Sequence, residues 1–266
     1  MPTTILLYAR TGAGKSTQIG CLAEEVNITS GKIARIYTAD RGGYDTIQPY
    51  VNLGIAEIEA YDGSDPWIWL NKVVRGYVKR PSGAGGKWIL DKAANAKVGL
   101  MAFESTHAIA KLLKLDMERK AAHGQNIGGD TNTSFDVTDG TEKMKIGTTK
   151  GFQKYAIPQS RLWEEIMESH RLDVDYVLWT AGLNKGEDDI NTTTKVIGPD
   201  ILGNALTPQL PMDFHFTFRM DVIPGQQGKA PRHVLYLGTH QDVNAGNATA
   251  LGNIRRPLDA APLKSY

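Results

Sequence analysis

The chain has 266 residues, 41% of them hydrophobic and 22% charged, with a formal net charge of +1. Length and composition suit a soluble α/β domain with elaborations, and Cys21, the single cysteine, excludes an internal disulfide. The near-neutral charge excludes a strong whole-molecule pull toward nucleic acid or anionic membrane, and no apolar run reaches the length of a membrane span. The opening MPTTILLYAR has neither a basic segment nor a long apolar run. No secretory leader is therefore expected, and a reducing cytoplasm fits.

The elements alternate early in the chain. Residues 4 to 9 form a short apolar run ending in a Gly-containing turn, which predicts a buried strand. Ile19, Leu22, Ala23 and Val26 then share one face of a helix over residues 15 to 26. KIARIYT, residues 32 to 38, reads as a second strand and 55 to 60 as a third. Asp65-Pro66 opens a helix expected to run to about residue 78, with Pro in the first turn. PSGAGG at 81 to 86 is a turn, and residues 88 to 90 are a short apolar run. Residues 98 to 103 predict a central strand, followed by a helix capped by Ser105 or Thr106 that buries Ile109, Leu112, Leu113 and Met117.

Residues 121 to 150 are rich in Gly, Thr, Asn and Asp and lack periodicity, so a flexible insertion is expected there. A helix over 158 to 170 and a strand over 174 to 180 follow, then a polar loop at 184 to 195. Phe214, Phe216, Phe218 and Met220 alternate with polar residues, and 233 to 237 supplies a partner for an antiparallel β-hairpin. The tail from about 240 to 266 reads as irregular. No internal repeat or compositional break divides the chain, so one domain over 1 to 266 is expected. Strand–helix alternation predicts a mostly parallel sheet covered by helices, with the hairpin at one edge.

The segment Ala9-Arg10-Thr11-Gly12-Ala13-Gly14-Lys15-Ser16-Thr17 matches G-x-x-x-x-G-K-[ST], with Ala9 at the first Gly position. It lies between a strand and an amphipathic helix, where the motif binds nucleoside triphosphates. Gly12 and Gly14 let backbone N–H groups converge on phosphate, and the helix N-terminus adds unpaired donors. Arg10 to Thr17 are the expected nucleotide contacts, with Lys15 on the β- and γ-phosphates and Ser16 on Mg²⁺. The second metal-side carboxylate is expected at the end of a central strand. Glu104 after VGLMAF fits, and Asp91 after WIL is the rival. Asp40, closing Thr-Ala-Asp, is a candidate to position the attacking water, and Thr180 a candidate to bond the γ-phosphate or that water. No His and Cys spacing suggests structural zinc.

These pieces resemble the RecA-like core ATPases: the loop Ala9–Thr17, the Thr38-Ala39-Asp40 strand end, and Phe103-Glu104-Ser105-Thr106. More narrowly, FESTHAIAKLL, IPQSRLWEEI, DYVLWTAGLNKGED and IGPDILGNALTPQLPMDFHF resemble phage-encoded RecA-like ATPases of the Sak-four type. The stretch Gly198 to Pro208 is the most distinctive. The resemblance spans about residues 4 to 240. It implies a RecA-like P-loop fold and an ATP- and Mg²⁺-dependent hydrolase, slow alone. Lys15, Ser16, Glu104 and Asp40 would be its site residues. It further implies ring or filament assembly, with Arg219, Lys229, Arg232, Arg255 and Arg256 as candidates to reach a neighbour's site. It implies action on single-stranded DNA in recombination or annealing through loops 121–150 and 184–195, and a single-strand-binding partner protein. The neutral charge supports a rival expectation, a nucleotide-controlled assembly or packaging protein indifferent to DNA.

Overall fold

Apolar runs too short for helices become the centre of one sheet. The computed structural model describes residues 1–40, 44–80, 86–122, 135–139, 142–146, 153–184, 198–201, 209–223, 232–236 and 257–259. Strand β1 (Thr3–Ala9) is buried from Thr4 onward and leads through the glycine loop into α1 (Lys15–Ser30). Gly31 ends α1 in the left-handed conformation, φ 68°, its N–H bonded to the Asn27 carbonyl. Strand β2 (Ile33–Thr38), α2 (Tyr44–Asn52) and β3 (Ala56–Ala60) follow.

Helix α3 (Pro66–Val73) starts where Pro and the Asp65 cap predict, the Asp65 carboxylate accepting from the Trp67 and Ile68 N–H groups. It ends earlier than expected, because the chain turns at Gly76 (φ 77°) into a small antiparallel pair, β4 (Val78–Arg80) and β5 (Lys87–Ile89). The short α4 (Lys92–Asn95) precedes β6 (Val98–Glu104), buried at all seven positions, and α5 (Thr106–Ala122). Where a structureless insertion was expected, the described residues form a hairpin of β7 (Phe135–Asp139) and β8 (Glu142–Ile146). The alternation of Phe135 with Val137 and of Met144 with Ile146 is too short to stand out among Gly and Thr.

Helix α6 (Gln153–Ser169), β9 (Tyr176–Asn184), β10 (Gly198–Asp200) and a 3₁₀ turn (Leu210–Asp213) lead to β11 (Phe216–Ile223) and β12 (Arg232–Tyr236). The expected hairpin is present, β12 running antiparallel to β11. The tail, expected to be irregular, contributes β13 (Pro257–Asp259) on the outer side of β12.

The sheet order is β13-β12-β11-β1-β9-β6-β2-β3, with β10 beside β9. Pairs from β11 through β3 are parallel, and the β12 and β13 pairings are antiparallel. This is a mixed α/β architecture, a mostly parallel sheet covered by helices with an antiparallel strand pair at one edge.

Alternation along the strands divides the core into two layers. Leu7, Ile36, Ala102, Leu178 and Phe218 face Ile19, Leu22 and Val26 of α1 and Ile47 of α2. Leu6, Tyr37, Phe103 and Trp179 face Trp69 of α3, Ile109 and Leu113 of α5, and Leu162 and Ile166 of α6. On that second face Phe103 stacks between Tyr37 and Trp179, with ring centroids 5.5 and 4.3 Å apart. On the first, α2 lies so close that a Cβ at Gly20 would meet the Tyr50 ring at 2.1 Å. No described helix is long and apolar enough to cross a membrane.

Candidate nucleotide-binding site

The loop between β1 and α1 lies at the carboxyl edge of the parallel strands, where α/β sheets bind ligands. Gly12 (φ 78°) and Gly14 (φ 96°) both occupy the left-handed region. Gly14 is also the N-cap of α1 and offers no side-chain acceptor, so none blocks the first-turn N–H groups. Ala9, at the first Gly position of the motif, is the last residue of β1, and its fully buried methyl belongs to the α1-side core. It therefore fills core space without narrowing the loop. Lys15 Nζ donates to the carbonyls of Ala9 (3.1 Å) and Arg10 (3.2 Å), which places the ammonium over the loop. Ala13 is buried, whereas Arg10, Thr11 and Thr17 are exposed.

Ser16 and Glu104 come together although 88 positions separate them: the Ser16 hydroxyl donates to Glu104 Oε1. The rival acid, Asp91, instead caps α4, accepting from the Ala94 N–H at 2.9 Å. Glu104 is 4% exposed, and its second oxygen, Oε2, is buried without a hydrogen-bond partner. Thr180, fully buried on β9, likewise has no partner for Oγ1, while its carbonyl accepts from Thr106 Oγ1 at 2.6 Å. The pairing of Phe103 with Trp179 puts Glu104 and Thr180 side by side at the next position, on the face shared with α1. Asp40 is exposed just beyond β2, in a turn where Thr38 Oγ1 donates to the Asp40 carbonyl at 2.7 Å.

Burial pushes the Glu104 carboxyl above its usual range, opposed by the Ser16 hydrogen bond and the Lys15 charge and reinforced by Asp40. Burial lowers Lys15, opposed by the charges of Glu104 and Asp40. Each charge thus needs its neighbours, and all three groups lie within one electrostatic cluster. The donor set fits Mg²⁺: a hydroxyl and a carboxylate, both hard oxygens, one carboxylate oxygen uncommitted. No group of three or more His, Cys, Asp or Glu side chains able to hold a metal occurs among the described residues. A single carboxylate suits a cation that phosphate oxygens also ligate.

Other sequence candidates stand elsewhere. Arg219 pairs with Asp221 at 3.3 Å and lies 5.2 Å over the Tyr236 ring, engaged within its own chain. Lys229, Arg255 and Arg256 lie outside the described residues, as does most of the loop at 184–195, and only the backbone of Arg232 is described. A cavity of about 430 Å³ beside the end of β3, lined by Glu59, Asp62, Trp69, Lys79, Arg80 and Trp88, is separate from the loop.

Two residues at the loop escaped the sequence reading. His233 Nδ1 lies 2.9 Å from the Ala13 carbonyl, and the Met220 methyl would sit 3.2 Å from a Cβ at Gly14. The available signal was parity. His233 alternates with Leu235, which faces the α1 side of the sheet.

No family model matches the chain, and no curated protein matches it. Among solved structures, it is similar to the KaiC-like protein PH0186 from the hyperthermophilic archaeon Pyrococcus horikoshii OT3. That similarity has 14% identity and a TM-score of 0.41 over 88% of this chain and 77% of that one.

Proposed function

We propose that the chain is a Mg²⁺-dependent P-loop ATPase. The observation that carries this is a pair of buried, unpartnered oxygens, Glu104 Oε2 and Thr180 Oγ1, beside Ser16 and the glycine loop. Buried polar atoms are nearly always satisfied, and two orphans side by side on adjacent strands point to a ligand. Loop amides and Lys15 bind the phosphates, and Ser16 with Glu104 would hold Mg²⁺, which would supply positive charge against the phosphates. Asp40 orients water for in-line attack on the γ-phosphorus, and Thr180 donates to the γ-phosphate.

The finer reading is an ATPase that acts on single-stranded DNA in phage recombination or annealing. It is supported by the sequence resemblance across residues 103 to 216. The net charge of +1 favours the rival, a nucleotide-controlled assembly protein. Steady-state ATP hydrolysis with and without single-stranded DNA separates the two, with Lys15→Ala as control. Hydrolysis that Lys15→Ala abolishes supports the ATPase. Stimulation by DNA that weakens with added salt supports the recombination reading, because phosphate contacts release counterions. Turnover indifferent to DNA favours assembly, and absence of ATP binding by the wild type overturns the whole proposal.

A further inference from the structure

We infer that His233, on the antiparallel edge strand β12, is a positioning residue for the phosphate-binding loop. It fixes the Ala13–Gly14 peptide so that the Gly14 N–H is presented to phosphate. This rests on the ATPase reading above.

The contact is specific. His233 Nδ1 is 2.9 Å from the Ala13 carbonyl oxygen across 220 positions of sequence. A carbonyl oxygen only accepts, so Nδ1 carries the proton and donates. A peptide unit is planar and trans, so the Gly14 N–H points opposite to the Ala13 C=O. Anchoring the carbonyl on the hairpin side turns that N–H toward the inside of the loop. Hydrogen bonding at the oxygen also polarises the amide and strengthens its donor.

The loop needs such an anchor. Gly12 and Gly14 make it an anion nest, but glycines are also the most freely rotating residues, so the nest is costly to order. Packing supplies the rest of the constraint. A Cβ at Gly14 would meet Met220 Cε at 3.2 Å and His233 Nδ1 at 3.5 Å, so the hairpin lies directly against the loop. Topology explains the juxtaposition. Strand β11 runs parallel to β1, so Met220 pairs with Ala9 at the loop's root. Strand β12 returns antiparallel, with Val222 opposite His233, the second residue of β12, at the same carboxyl edge. Donors aligned in advance bind anions without paying for reorganisation at the moment of contact.

The test measures ATP affinity by fluorescent-nucleotide titration and turnover at saturating ATP, in wild type, Lys15→Ala, His233→Leu, His233→Gln and His233→Asn. The Asn amide nitrogen takes the place of Nδ1, whereas Gln reaches toward the position of Nε2. Leu and Gln are expected to weaken ATP binding about tenfold, about 1.4 kcal/mol, and Asn to recover most of the loss. Unfolding midpoints without nucleotide identify any variant whose loss is merely structural, and Gln against Asn decides the matter if Leu does not fold. Wild-type affinity in both Leu and Gln, or equal weakening in Gln and Asn, overturns the role of His233 and leaves the ATPase reading intact. A wild type that binds no ATP overturns both.

Discussion

Charge and desolvation at single residues set what the site can do. Glu104 is useful because it is buried beside a cation and a hydroxyl, with one oxygen uncommitted. Glu104→Gln keeps the shape and removes the charge that a metal requires. Its hydrolysis rate at saturating Mg²⁺ and ATP should fall by about 100-fold or more, while nucleotide binding in EDTA persists. A mutant that turns over normally would remove Glu104 from the mechanism and reopen Asp91, whose present task is capping α4. Thr180→Val preserves the volume and deletes the hydroxyl. Because Thr180 Oγ1 has no protein partner, the change should cost little stability in the absence of nucleotide. Turnover should still drop. A large loss in unfolding midpoint would mark the hydroxyl as structural.

Between elements, close approach decides which residues are tolerated. The contact of α1 with α2 exists because Gly20 leaves room for the Tyr50 ring. Gly99 likewise admits Val26, whose γ-carbon would lie 2.5 Å from an added Cβ. Gly20→Ala improves local helix propensity by about 1 kcal/mol, yet it drives a methyl into an aromatic ring. The net change should be destabilising by about 1 to 3 kcal/mol, read as a lowered denaturation midpoint. A stabilised variant would show that α2 moves aside without loss. The same geometry explains why α2 was not legible. It contains Pro49 within only nine residues, and its core-facing stripe of Ile47, Tyr50 and Val51 spans little more than one turn, too short to announce a helix. Helices α1, α3, α5 and α6 were legible because each carries a core-facing stripe or a cap, such as Asp65 ahead of Pro66.

Across the whole molecule, two half-buried groups oppose each other in their response to pH. Burial lowers His170 from 6.5 to about 4, with His215 adding to the effect. The unfolded chain then binds more protons in that window, so this contribution is present above 6.5 and lost as pH falls toward 4. Burial raises Glu59 from 4.5 to about 7, partly offset by Arg35. Here the folded chain binds more protons, so the contribution is full below 4.5 and lost as pH rises through 7. The two slopes oppose each other over nearly the same range. Stability measured by urea denaturation from pH 4.5 to 7 should rise with pH in Glu59→Gln and fall with pH in His170→Leu. Parallel curves for the two variants and wild type would rule out both assignments.

The local pieces were legible in the chain: the glycine loop between a strand and a helix, the central strands, the terminal hairpin and hence the mostly parallel α/β class. These follow from motif spacing and from periodicities of 2 and 3.6, which a chain carries without knowing its partners. It also nominated Glu104, Asp40 and Thr180, because carboxyl ends of central strands are where such chemistry sits. Whatever depends on crossing order emerges when the strands assemble into the sheet. Placing β9 between β1 and β6 sets Thr180 between the glycine loop and Glu104. Laying β11 parallel to β1 and returning β12 beside it brings His233 to Ala13. Residues 88 and 220 positions apart meet through the sheet's register. No local pattern encodes that register, because burial of the shared core on both faces selects it for all the strands at once.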